Sequence, residues 1–181
     1  MTKSSRAGGH TESLLIITGT MGAGKTAVLG ETSDILAHRQ IVHAAIDVDA
    51  LGLAHLPSSA VSDAVMYDNL RSICINYGAL GVQRFLLARA IEDDAQLSLY
   101  RQIIPASSMV VCRLIASLET MQQRVEMREP GISQLQYVTR VAKLNASLDR
   151  AHLEDFAVIN EGRQLTEVAL EVLARARWIS T

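Results

Sequence analysis

Short apolar runs alternate along this chain with longer segments in which apolar residues recur at helical spacing. Residues 14–18 form the first run, which is rich in β-branched residues and ends at a glycine, as is typical of a strand buried on both faces. Similar runs predict four more strands, at residues 41–47, 85–88, 109–114 and 156–159. The remaining segments predict helices at residues 25–38, 60–79, 93–104, 117–128, 133–152 and 165–177.

The regular alternation of strand and helix predicts an α/β fold, in which helices cover both faces of a parallel sheet through right-handed crossovers. No internal repeat and no proline-rich or charged tract divides the chain. Residues 14–181 are therefore expected to form a single domain. Residues 1–13 are polar and contain glycine, so they are expected to form a flexible tail.

Composition and charge narrow the range of partners. The 181 residues are 49% hydrophobic and carry a formal net charge of −2, which gives no global reason to bind nucleic acid or an anionic membrane. No apolar stretch approaches the roughly 20 residues that span a bilayer. Cys74 and Cys112 lack metal-ligand spacing, so we expect reduced core thiols in a soluble, cytoplasmic protein. The oligomeric state stays open between a monomer and a homodimer.

The strongest local signal is a complete match to the phosphate-loop pattern G-x-x-x-x-G-K-[ST], between the first predicted strand and the first helix. The loop consists of Gly19, Thr20, Met21, Gly22, Ala23, Gly24, Lys25 and Thr26. Its glycines let backbone amides converge on phosphate oxygens, and the helix N-terminus adds a partial positive charge. Lys25 is expected to reach the β- and γ-phosphates, and Thr26 to ligate Mg²⁺. ATP and Mg²⁺ are thus the predicted ligands.

Two carboxylates, Asp47 and Asp49, follow the second predicted strand. The carboxyl ends of strands face ligands in open α/β sheets, so both side chains are site candidates. Phosphoryl transfer to a hydroxyl needs such a carboxylate to accept the proton. One of the two could instead cap the loop after the strand, because aspartate is favoured in turns.

Three features make the chain similar to the P-loop small-molecule and nucleoside-monophosphate kinases, a group that includes shikimate, gluconate and adenylylsulfate kinases, chloramphenicol phosphotransferase and adenylate kinase. These features are its size, the Asp47-Val48-Asp49 sequence and a candidate lid at residues 124–131. The resemblance implies a three-layer P-loop fold with strand order 2-3-1-4-5. It also implies a small lid that carries arginines.

The resemblance also implies roles for individual residues. Arg124 would stack on adenine, and Arg128, four residues on and on the same helix face, would clamp phosphate. Arg140 would be a further phosphate contact, and the 160–163 segment, including Arg163, would line the adenine edge. Each arginine could instead lie on a solvated surface.

On the acceptor side, the shikimate-kinase pattern implies that Asp47 organises Mg²⁺ through water and that Asp49 holds or deprotonates the acceptor hydroxyl. Which of the two is the base stays open. The acceptor pocket is expected between this pair and the helix at residues 60–79. Its polar candidates are Tyr67, Asn69, Arg71, Asn76 and, at the end of the third strand, Arg89.

Two absences from the sequence narrow the class of P-loop protein. No other predicted strand ends in an obvious Walker-B aspartate, which disfavours ring ATPases and helicases. The sequence also lacks the Asn-Lys-x-Asp segment that binds guanine, which disfavours GTPases. The sequence therefore predicts an ATP-dependent kinase acting on a hydroxyl of a small-molecule acceptor. A nucleoside-monophosphate kinase and a non-catalytic ATP-binding sensor or partner module remain the alternatives.

Overall fold

A computed structural model describes residues 13–54 and 58–180, and within them five strands form one sheet. The strands are β1 (Ser13–Thr18), β2 (Ala44–Asp47), β3 (Arg84–Ala88), β4 (Ser108–Ile115) and β5 (Phe156–Ile159). All neighbours pair in parallel, in the order β2-β3-β1-β4-β5. The predicted α/β class and strand order are confirmed.

Six α-helices connect or follow these strands in the described part of the chain. They are α1 (Lys25–His38), α2 (Ser59–Ala79), α3 (Asp94–Ile103), α4 (Leu118–Arg128), α5 (Gln134–Ala151) and α6 (Leu165–Arg175). A short 3₁₀ turn, Val48–Gly52, follows β2. Side chains of Ser58, Asp93 and Ser117 cap α2, α3 and α4 by accepting backbone N–H bonds in the first turn, which explains where these helices begin.

The second strand is shorter than predicted, because it begins at Ala44 and not at residue 41. Ile41 donates its backbone N–H to the Leu36 carbonyl at 2.9 Å, closing the end of α1. The His43 ring is hydrogen-bonded to the Ile41 carbonyl at 2.8 Å and to Ser33 Oγ at 2.9 Å. These bonds hold residues 41–43 against α1 and keep them out of the sheet.

Alternate residues of β1 enter two separate cores. Leu15 and Ile17 pack with buried residues of α1, α4, α5 and α6. Leu14 and Ile16 pack on the other face with residues of α2 and α3. Burial of β1 on both faces follows from the parallel sheet, in which helices cover each side.

The strand order places β1 in the middle of the sheet, so the loop after it emerges between the ends of β3 and β4. Asp47 ends β2, and Arg89 follows the last residue of β3. Residues 1–12 lie outside the described residues, so the flexible tail stays a prediction, and Ser13 already belongs to β1. None of the described helices is both long and apolar enough to cross a membrane.

Candidate functional site

The phosphate loop joins β1 to α1, and its glycines are required by contacts as well as by backbone conformation. Gly22 has φ 79°, and a Cβ there would lie 2.2 Å from the Met121 carbonyl oxygen. Gly24 has φ 92°, and a Cβ there would lie 2.3 Å from Asn160 Nδ2. A larger residue at Gly22 would push the backbone of α4 away, and one at Gly24 would displace the Asn160 amide from the loop.

Lys25 begins α1 and is held close to the loop. Its Nζ donates to the Thr20 carbonyl at 3.2 Å. Burial lowers the pKa of Lys25 from its ordinary value, while the carboxylates of Asp49 and Asp47 act to raise it. An anion entering the loop would stabilise the same ammonium charge, as expected for a phosphate-binding lysine.

Thr26 and the strand-end carboxylates are directly connected. Thr26 Oγ1 donates to Asp47 Oδ2 at 2.7 Å, and Asp47 Oδ1 accepts the Asp49 backbone N–H at 3.1 Å. Asp47 therefore both caps the 3₁₀ turn and faces the threonine of the loop. A hydroxyl beside a carboxylate is the kind of oxygen pair that suits Mg²⁺. Over residues 13–54 and 58–180, no cluster of three or more His, Cys, Asp or Glu side chains could hold a metal.

A cleft of about 490 Å³ lies over the phosphate loop. It is lined by that loop and the start of α1, together with Asp49, Arg124 and Arg128. A larger cavity of about 640 Å³ lies at the opposite, amino-terminal edge of the sheet. We assign the site to the smaller cleft, because ligands in open α/β sheets bind at the carboxyl ends of the strands.

The two arginines of the predicted lid differ in how firmly they are held. The Arg124 guanidinium donates to the Gly22 carbonyl at 3.2 Å and to the Asn160 carbonyl at 2.9 Å. Arg128 is half exposed and bonds only locally, from Nε to Glu129 Oε1 at 2.9 Å. Arg124 is thus fixed against the loop, whereas Arg128 lies at the rim of the cleft.

Asp49 is paired with Arg89, which the sequence predicts to lie on the acceptor side. Arg89 Nη1 donates to Asp49 Oδ1, and Arg89 Nη2 lies 3.9 Å from Asp63 Oδ1 on α2. The guanidinium therefore connects the carboxylate after β2 with the first turns of α2. A charge-assisted bond of this kind fixes the direction in which the carboxylate points.

The other acceptor candidates lie on α2 in different settings. Asn69 Nδ2 donates to the Leu51 carbonyl at 2.9 Å, which ties α2 to the 3₁₀ turn that contains Asp49. The Tyr67 ring packs edge-on against a buried tyrosine of α3, with 5.6 Å between centroids. Arg71 forms an exposed ion pair with Asp68 at 2.8 Å, and Asn76 is exposed.

Two further arginine candidates are paired outside the lining of the cleft. Arg163 Nη1 donates to Glu171 Oε2 at 2.7 Å, and Arg140 Nη2 lies 3.8 Å from Glu92 Oε1. In contrast, Asn160 of the same predicted adenine segment is buried against the loop, where its Nδ2 donates to the Ala23 carbonyl at 2.7 Å. Its position directly after β5 is the only sequence signal for this contact.

The structure has the fold of P-loop kinases, and the predicted resemblance to that group is confirmed at the level of the fold. It is similar to a gluconokinase from Sinorhizobium meliloti, with 17% identity over 93% of this chain and 94% of that one and a TM-score of 0.59. It is also similar to the APS kinase of Mycobacterium tuberculosis solved with AMPPNP and APS, with 18% identity, 93% and 99% coverage and a TM-score of 0.61.

A shikimate kinase from Acinetobacter baumannii, solved with shikimate, matches with 16% identity over 97% and 98% of the two chains and a TM-score of 0.57. No family model matches the sequence. No curated protein matches it either. At these identities the similarity establishes the fold, and the chemistry has to be argued from the cleft itself.

Proposed function

We propose that this protein is an ATP-dependent kinase that transfers the γ-phosphate of ATP to a hydroxyl group of a small-molecule acceptor. The observation that carries the proposal is the single cleft in which Lys25, Thr26, Asp49 and the two lid arginines surround one space. Phosphoryl transfer depends mainly on alignment and charge neutralisation, and these groups supply both. The kinases of similar fold act on gluconate, APS and shikimate according to their names, which supports a small-molecule acceptor.

On the nucleotide side, the backbone amides of residues 19–26 bind the phosphates, and Lys25 neutralises charge on the transferred group. Thr26 and Asp47 are the residues that would hold Mg²⁺, directly and through water. When bound, Mg²⁺ withdraws charge from the phosphate oxygens. Arg124 stacks on adenine, and Arg128 moves from the rim to contact the transferring phosphate. Arg163, which is paired with Glu171, supports the loop at the adenine edge.

On the acceptor side, Asp49 accepts the proton of the attacking hydroxyl. The hydroxyl oxygen bonds to the γ-phosphorus as the bond from that phosphorus to the β–γ bridging oxygen breaks, and ADP leaves. Arg89 keeps the Asp49 carboxylate directed at the cleft. Asn69 and Arg71 of α2 form the proposed acceptor wall. Asn69 sets the position of the turn that contains Asp49, and Arg71 would leave its exposed pair with Asp68 to reach the acceptor.

ATP consumption across a panel of sugars, sugar acids, nucleosides and antibiotics tests the proposal. With the true acceptor, Lys25→Ala is expected to abolish turnover, and Asp49→Asn to lower it at least about 100-fold while ADP still binds. Lys143→Ala and Asp34→Asn change exposed residues of the same types on α5 and α1 and serve as matched controls. Unchanged turnover in Asp49→Asn would exclude Asp49 as the base. ADP binding without turnover of any acceptor would favour a sensor.

A further inference from the structure

The segment after β5 holds the phosphate loop in place. Asn160 is buried, and its backbone N–H donates to the Ile115 carbonyl at the end of β4, at 2.8 Å. Its side-chain Nδ2 donates to the Ala23 carbonyl at 2.7 Å and lies against Gly24. One residue therefore connects the carboxyl edge of the sheet to the centre of the loop.

The next residue, Glu161, binds the start of the lid helix. Its carboxylate accepts the Ser117 backbone N–H at 2.8 Å, the Ser117 hydroxyl at 2.7 Å and the Thr120 hydroxyl. Ser117 is the N-cap of α4, so a negative charge also lies at the positive end of that helix. The hydrogen bonds from Thr120 and Ser117 lower the pKa of Glu161 to about 2, so its carboxylate stays ionised well below the pH at which an ordinary glutamate is protonated.

Arg124 completes the connection from the other side. It lies on α4 two turns after Ser117, and its guanidinium donates both to the Asn160 carbonyl and to the Gly22 carbonyl. The phosphate loop, the start of α4 and the segment after β5 are therefore joined pairwise. The bonds from Arg124 and from the Asn160 side chain use different donor and acceptor atoms, so all three form together.

We propose that Asn160 and Glu161 are positioning residues that fix α4, and through it Arg124, against the phosphate loop before the nucleotide binds. This inference rests on the proposed function, in which Arg124 contacts adenine. Neither residue needs to touch the nucleotide. An arginine held in advance loses less conformational freedom on binding, so the benefit appears as nucleotide affinity.

A purely structural cap would behave differently. If Glu161 only stabilised α4, its removal would lower the free energy of unfolding but would act on nucleotide affinity independently of Arg124. A positioning role predicts instead that the two residues are coupled, because Glu161 acts through Arg124. The acceptor side, which is built on β2, β3 and α2, would be unaffected.

The test measures the affinity of the full chain for a fluorescent ADP analogue, so it needs no acceptor. Glu161→Ala is expected to weaken binding about tenfold, and Glu161→Gln, which keeps one acceptor oxygen, by a smaller factor. In the Arg124→Ala background, adding Glu161→Ala should cause little further loss of affinity for the ADP analogue. Glu167→Gln, an exposed glutamate of α6, is the matched control and should bind as the parent does.

Additive losses in the double variant, or unchanged affinity in Glu161→Ala, would overturn the positioning role. If Glu161→Ala fails to fold, Thr120→Val removes one of the three bonds, and the same coupling with Arg124→Ala is measured. Failure of the positioning role and failure of the proposed kinase function give different results. A parent chain that binds no ADP would overturn both, whereas one that binds ADP but transfers no phosphate would overturn only the kinase assignment.

Discussion

Thr26 and Asp47 are joined by a 2.7 Å hydrogen bond, which ties the first turn of α1 to the end of β2. The same Asp47 carboxylate accepts the backbone N–H of Asp49. The Asp47 side chain therefore positions both Thr26, which is proposed to bind Mg²⁺, and Asp49, which is proposed as the base. Changes at Asp47 are expected to affect the two halves of the cleft together.

Replacing Asp47 with asparagine keeps the size of the side chain and removes its charge. The Mg²⁺ concentration for half-maximal turnover is expected to rise about tenfold, because a neutral amide is a poorer partner for a divalent cation and its water. ADP affinity measured without metal should be unchanged. Titrations of turnover with Mg²⁺, with Asp34→Asn as control, check this. An unchanged Mg²⁺ requirement would remove Asp47 from the metal site.

Two glycines offer a matched test of the phosphate loop. Gly22→Ala adds a Cβ 2.2 Å from the Met121 carbonyl oxygen at a positive φ, so it is expected to lower the free energy of unfolding by about 1–3 kcal/mol and to weaken ADP binding. Gly30→Ala adds the same atom on an exposed face of α1, where it meets nothing within 4 Å. It should stabilise the protein by about 0.5–1 kcal/mol.

Denaturant unfolding and ADP titration of both glycine variants distinguish the steric effect from the simple addition of a methyl group. Equal stability of Gly22→Ala and Gly30→Ala would mean that α4 moves away from the loop without cost.

Arg89→Met removes the guanidinium that pairs with Asp49 but keeps much of the side-chain volume. Without this pair the Asp49 carboxylate can rotate, so it is less often aligned with the acceptor hydroxyl. We therefore expect kcat to fall by about 10- to 100-fold. The KM for ATP should change less than about twofold, because Arg89 is proposed to act on the acceptor and not on the nucleotide. Steady-state kinetics, with Arg101→Met of the exposed Arg101–Asp94 pair as control, measure both. A rise in the KM for ATP alone would place Arg89 on the nucleotide side instead.

The lowered pKa of Glu161 predicts how the stability of the protein changes with pH. Its pKa is about 2 in the folded protein and 4.5 as an ordinary carboxyl group, so its stabilising effect is fully present above about pH 5 and is lost as pH falls towards 2. The difference in unfolding free energy between the parent chain and Glu161→Gln should therefore be constant from pH 7 to about 5 and shrink below that. Urea unfolding at several pH values measures it. A difference that persists undiminished at about pH 2.5 would contradict the assignment.

Local patterns were sufficient to predict most of the fold. The alternating apolar runs, the N-cap Ser117 and the residues of α1 and β5 are encoded over a few neighbouring positions, and the structure has them as predicted. The strand order followed from the resemblance. The predicted start of β2 was wrong. The hydrogen bond between His43 and Ser33 of α1 keeps this segment out of the sheet, and it depends on which face of α1 packs there.

Pairings between distant side chains account for what the sequence did not reveal. The resemblance implied nucleotide contacts for Arg163 and Arg140, but the structure pairs them with Glu171 on α6 and Glu92 before α3. No spacing rule indicates these carboxylate partners. Glu161 and Ser117 are 44 residues apart and become neighbours only because β4 and β5 are adjacent. Such contacts depend on how helices and strands pack together, whereas the phosphate loop is encoded by eight consecutive residues.

The central place of β1 affects the order in which parts of the cleft are lost on partial unfolding. β1 is paired on both sides, whereas β2 is a four-residue edge strand of the described sheet. Backbone amides in the middle of a sheet exchange with solvent only in the largest opening events, and those at an edge exchange earlier. The loop that follows β1 should therefore retain ADP at denaturant concentrations where Asp47 and Asp49 have already lost their alignment, and catalysis should disappear before nucleotide binding does.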